Sequence, residues 1–139
     1  MNPTFLADEH GRPYPQGTIA QVRPLYDHTG VIVYQYGQQV ILQNSKRFKG
    51  KVATTPEVFN EGRPTVVIRV PTSHAEGAAI AQRAWAEVQA GGSWHWWDNC
   101  QDFTSRAVQG KNGSPTRDLF VVLGAALGVL SLALASSRE

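Results

Sequence analysis

Apolar residues follow strand-like spacing in the first half of the chain and helix-like spacing in the second. Residues 18–23 are a short β-like stretch closed by Pro24. Residues 29–36 are rich in Val, Ile and Tyr, whose branched or flat side chains pack well on a pleated surface. Gly37 marks a tight turn and residues 38–44 read as the returning strand, which predicts a hairpin. Residues 45–51 read as a basic connection carrying Lys46, Arg47, Lys49 and Lys51. Residues 65–70 form another strand, ended by Pro71.

The period then changes. Ser73 and Glu76 have the spacing of a capping box. Ile80, Ala84, Trp85 and Val88 recur on one helical face until Gly91 and Gly92 stop it. An aromatic run, residues 94–97, leads to a second helix that starts at Asp98 or Asn99, both good caps, and fades near Gly110. Residues 119–137 carry no charge. These elements predict an α+β fold, an antiparallel sheet packed on helices, plus a C-terminal hydrophobic helix. The expected organisation is a polar arm at 1–16, one globular domain at 17–110, a linker at 111–118 and the hydrophobic segment at 119–137.

The length of 139 residues suits one domain, large enough for a core without covalent staples. A net charge of +2 is too small to argue for nucleic acid as a partner. One cysteine excludes an internal disulfide and a multi-cysteine zinc site, and a lone thiol is easiest to keep reduced in a cytosol. Residues 1–16 hold Pro3, Pro13 and Pro15 and lack the basic-then-apolar pattern of a secretory leader, so Sec-type export is not expected.

That single cysteine, Cys100, is the candidate for chemistry. A cap at Asn99 puts it in the first turn of a helix, where backbone N–H groups are unpaired and the macrodipole is positive. Such a setting lowers a thiol pKa, and the Cys100 N–H is placed to donate to a developing oxyanion. The competing reading is a buried, inert cysteine. His28, just before an apolar strand, can project from a sheet end towards a helix start. His95 is nearer in sequence but lies in the aromatic run, where packing is its expected role, and His10 and His74 have no supporting context.

Residues 22–28, VRPLYDH, resemble the FRPxYxH stretch of the lecithin–retinol acyltransferase-like family. Residues 98–103, DNCQDF, resemble its DNCEHF motif, and residues 40–46, VILQNSK, look like the second strand of bacterial members. Histidine before cysteine is the order of the circularly permuted papain-like fold shared with NlpC-type hydrolases. The resemblance covers about residues 17–110. It implies Cys100 as nucleophile, His28 as base and a polar third residue on the second strand. Gln43 falls in that third place, or Asn44 if the register slips by one; strand alternation lets only one of them face His28. The family's Glu-His after the cysteine is replaced by Gln101-Asp102, which bears on substrate preference. Arg23 or Tyr26 is implied as a second oxyanion donor or as support for the first strand. The implied chemistry is acyl transfer through a Cys100 thioester, with neither cofactor nor metal.

The nineteen residues 119–137 would span about 28 Å as a helix, near the thickness of a bilayer core. Gly124 and Gly128 have a spacing that allows close helix–helix contact. The expectation is a tail-anchored membrane protein with its catalytic domain on the cytosolic side; the alternative is a buried helix in a soluble cytoplasmic protein. Trp94, Trp96 and Trp97 are candidates for substrate or membrane contact, and the basic cluster at 46–51 is a candidate for facing anionic headgroups. Three functions follow: a thiol acyl hydrolase or acyltransferase on lipid esters, a cysteine amidase or peptidase on peptide, isopeptide or cell-wall bonds, or a catalytically degenerate membrane-tethered binding module.

Overall fold

The computed structural model describes residues 5–23, 28–95 and 99–110. Its elements are β1 (Ile19–Val22), β2 (His28–Gln35), β3 (Gln38–Ser45), β4 (Gly50–Thr54), α1 (Pro56–Asn60), β5 (Thr65–Arg69), α2 (His74–Ala90) and α3 (Cys100–Gln109). The five strands form one antiparallel sheet in the order β4-β3-β2-β1-β5. The α+β class and the antiparallel sheet therefore stand as the residue pattern predicts.

The β2–β3 hairpin closes at Gln35↔Gln38, with Tyr36 at φ 52° and Gly37 at φ 76°. Two consecutive positive φ values make a type I′ turn, whose twist matches that of the flanking strands. Alternation then sorts the side chains onto two faces. Val31, Val33 and Leu42, with Ile19, pack against Ile80, Ala81 and Ala84 of α2 and Phe103 and Ala107 of α3. On the other face Ile32, Ile41, Ala20 and Val22 pack under Phe59 of α1, with Leu6 and Tyr14 at the margin. The sheet is thus covered on both sides, and its central strands are its driest.

Helix α2 starts where expected, with the Ser73 hydroxyl accepting the Glu76 N–H at 3.1 Å. The Glu76 carboxylate turns instead to the Thr72 N–H and to Arg69, each at 3.0 Å. The stretch 45–51 departs from expectation. It is not one basic connection: the turn ends at Lys49, and Gly50 opens the edge strand β4, paired with β3 from Ser45↔Gly50 to Ile41↔Thr54. Helix α1 follows at once, with Thr55 as cap and Pro56 in its first turn, where a missing N–H costs nothing.

The linker at 111–118, the hydrophobic segment at 119–137 with Gly124 and Gly128, and Tyr26, Trp96 and Trp97 lie outside the described residues. Among the described residues no helix is long and apolar enough to cross a membrane.

Candidate active site

His28 is the first residue of β2. Its ring lies 4.9 Å from that of Phe59, tilted by 30°. Gly30 makes this approach possible: a Cβ there would stand 2.4 Å from Ile41 Cγ2 and 2.9 Å from Phe59 Cε1. Alternation along β3 sends Ile41 and Gln43 to this face and Leu42 and Asn44 to the opposite one. Gln43, 1% exposed, accordingly meets His28: its Oε1 and the ring Nε2 are hydrogen-bond partners. The Gln43 Nε2 donates to Thr54 Oγ1 at 2.9 Å. Asn44 is fully buried on the helix side, so of the two only Gln43 meets His28.

Cys100 opens α3 behind a complete capping box. Asn99 Oδ1 accepts the N–H groups of Gln101 and Asp102 at 2.9 and 3.2 Å, and Asp102 Oδ2 accepts the Asn99 N–H at 3.2 Å. Asp102, which stands where the resembled motif has histidine, thus has a local structural use and is fully buried. Thr29, next to His28 but on the other face of β2, donates its hydroxyl to the Cys100 carbonyl at 3.0 Å and lies 3.1 Å from Thr104 Oγ1. The far end of α3 is held as firmly. Arg83 donates to the carbonyls of Ala107 and Val108, at 2.7 and 3.0 Å, and Arg106 is gripped by both carboxylate oxygens of Glu87.

His28, Gln43 and Cys100 line one cavity of about 500 Å³. Phe48, Val58, Phe59 and Trp94 form its apolar walls, and Ser45, Lys46, Arg47, Glu61 and Arg63 complete it. Arg47 and Arg63 share Glu61, at 2.8 and 3.8 Å, and the Lys46 ammonium sits 5.6 Å from the centre of a Trp94 ring. The basic cluster is therefore divided. Lys46 and Arg47 face the cavity, whereas Lys51 is nearly buried against α2, 3.5 Å from Glu87 and 3.2 Å from the Gly91 carbonyl.

Burial pushes the His28 imidazole below its ordinary pKa of 6.5; the Gln43 hydrogen bond opposes this, Arg63 reinforces it and Glu61 opposes it. Burial likewise pushes the Cys100 thiol up, against donors from Thr29 and from the amides of Cys100 and Gln101. The direction is opposite to the one expected at a helix start: desolvation of the charged form is the largest influence on the thiol and outweighs the hydrogen bonds that favour the thiolate.

Trp94 lies on the cavity wall. Arg23 does not: it is exposed at the end of β1, its N–H donating to the Pro64 carbonyl at 3.0 Å, and it is not among the lining residues. His95, His10 and His74 are exposed and also absent from the lining. Sequence reasoning missed Thr29, Thr54, Phe59, Glu61 and Arg63. Thr29 alone had a signal, since the residue after a strand histidine must face the opposite layer. No protein-family model matches this chain, and neither a curated protein nor a solved structure does.

Proposed function

We propose that residues 17–110 are the catalytic domain of a thiol acyl hydrolase or acyltransferase with a permuted papain-like fold of the lecithin–retinol acyltransferase-like kind. The observation that carries this reading is the convergence of Cys100, His28 and Gln43 on one cavity from three separate elements. Gln43 occupies the Nε2 side of the ring, so Nδ1 is the nitrogen that takes the thiol proton. The sulfur attacks an ester or amide carbonyl and forms a thioester, and the N–H at the start of α3 donates to the oxyanion. The leaving group departs with the proton from His28, and water or a second acceptor releases the acyl group. General-base assistance of this kind contributes about 10²–10⁴-fold.

The apolar walls suit an acyl chain, and lipid esters are the favoured substrates. In that reading residues 119–137 anchor the protein in a membrane, with the catalytic domain on the cytosolic side. The charged wall of Lys46, Arg47, Glu61 and Arg63 favours a second reading, a cysteine amidase or peptidase on polar chains.

The deciding experiment offers the protein a nitrophenyl acyl ester and a peptide amide, then measures intact mass. A hydroxylamine-labile acyl adduct on Cys100, absent in Cys100→Ala and slowed in His28→Ala, is expected. The better donor separates lipid from peptide chemistry. An unmodified Cys100 with both donors overturns the enzymatic reading and leaves a binding module.

A further inference from the structure

We propose that Thr54 is a positioning residue that selects the tautomer of His28 through Gln43, and so decides which ring nitrogen is the base. The consequence for catalysis rests on the acyl-transfer reading; the tautomer itself does not.

A carboxamide can meet an imidazole nitrogen in two ways. Its oxygen accepts an N–H, or its NH2 donates to a ring lone pair. The two demand opposite tautomers of His28, and only one leaves a lone pair on Nδ1. Gln43 is 1% exposed, so bulk water cannot arbitrate. Thr54 does. It ends the edge strand β4, opposite Ile41, and lies diagonal to Gln43, whose direct partner is Val52. Its Oγ1 accepts from Gln43 Nε2 at 2.9 Å, and the Ile41 carbonyl, 3.5 Å away, is the acceptor towards which its own proton can turn. With its NH2 committed to Thr54, Gln43 can show His28 only its carbonyl oxygen. The ring must then carry hydrogen on Nε2 and keep Nδ1 as base.

The arrangement also serves the protonated ring. When Nδ1 gains a proton, Nε2 remains a donor and Gln43 remains its acceptor, so nothing between β2 and β4 has to turn over. A site built the other way round, with the amide donating to Nε2, would lose a hydrogen bond at the moment of proton transfer.

The test uses the full chain labelled with ¹⁵N-histidine, and assigns the His28 ring nitrogens by their loss in His28→Ala. In wild type and Thr54→Ser, above the ring pKa, Nε2 is expected protonated and Nδ1 bare. In Thr54→Val, which keeps shape but loses the acceptor, the spectrum is expected to shift towards a tautomer mixture or Nδ1–H. Placing Thr54→Val on Gln43→Glu should restore Nε2–H, because a carboxylate has no donor end. Ester turnover is expected to fall about tenfold in Thr54→Val and to recover in Thr54→Ser, a difference in transition-state stabilisation. An unchanged tautomer in Thr54→Val, with the wild-type pH profile, overturns the inference even in an active protein. A tautomer that responds to Thr54 in a protein that never acylates Cys100 overturns the acyl-transfer reading alone.

Discussion

The Thr29 hydroxyl donates to the carbonyl oxygen of Cys100 at 3.0 Å, so the residue beside the candidate base holds the backbone of the candidate nucleophile. Consecutive residues of one strand address two layers: His28 faces Gln43 and Phe59, and Thr29 faces the start of α3. Replacing Thr29 with valine preserves strand propensity and volume while removing this bond and the contact with Thr104. The expected cost is about 1–3 kcal/mol, since buried polar groups lose a partner. Urea unfolding measures it, and acylation of Cys100 should slow beyond what the lost stability explains.

The His28 ring titrates below 6.5 because it is buried. Between that lowered value and 6.5 the unfolded chain binds more protons than the folded one. The stability involved is therefore complete above about 6.5 and is lost as pH falls towards the folded value. Activity, which needs a neutral ring, should show an acid limb below 6.5, read from kcat/KM. A limb above 6.5 would mean that His28 is not the base. Burial raises the Cys100 thiol, so its alkylation by iodoacetamide at neutral pH should depend on His28 and slow in His28→Ala.

Asn99 supplies the side-chain acceptor for two amides at the start of α3. Asn99→Ala should cost about 1 kcal/mol, and Asn99→Asp, which keeps an acceptor, should recover most of it. Chemical denaturation of the three proteins checks both.

Gly30 lies under the site, and a methyl group there collides with Ile41 and Phe59. Gly30→Ala should destabilise the protein by about 1–3 kcal/mol through overpacking. It should also move the Phe59 ring off His28, visible as a changed His28 titration in NMR.

Local chemistry was legible in the sequence. Ser73 and Asn99 announce helix starts because a cap needs only its own neighbours, and the hairpin from His28 to Ser45 shows in its β-branched residues and Gly37. Strand β4 was hidden because an edge strand tolerates Lys51 and Gly50, so its composition reads as a loop. Helix α1 has five residues, too few for a period, and its Pro56 looks like a breaker although it begins the helix. The start of α3 at Cys100 was legible; the desolvation of the thiol was not, because burial depends on residues far along the chain. Alternation says that Gln43 and Asn44 face opposite sides, never which side holds the histidine.

That last assignment is made at the other end of the hairpin. Tyr36, 97% exposed, and Gly37 set the register just beyond Gln35, which is seven residues from His28 and about 24 Å along the strand. Surface turns ordinarily absorb insertions and deletions at little cost. This one can change its residues but not its length. A single residue added between Gln35 and Gln38 would slide β3 by one step and turn Asn44 or Leu42 towards the ring in place of Gln43. Among descendants of this chain, length variation should therefore be absent from an exposed turn that touches nothing in the site.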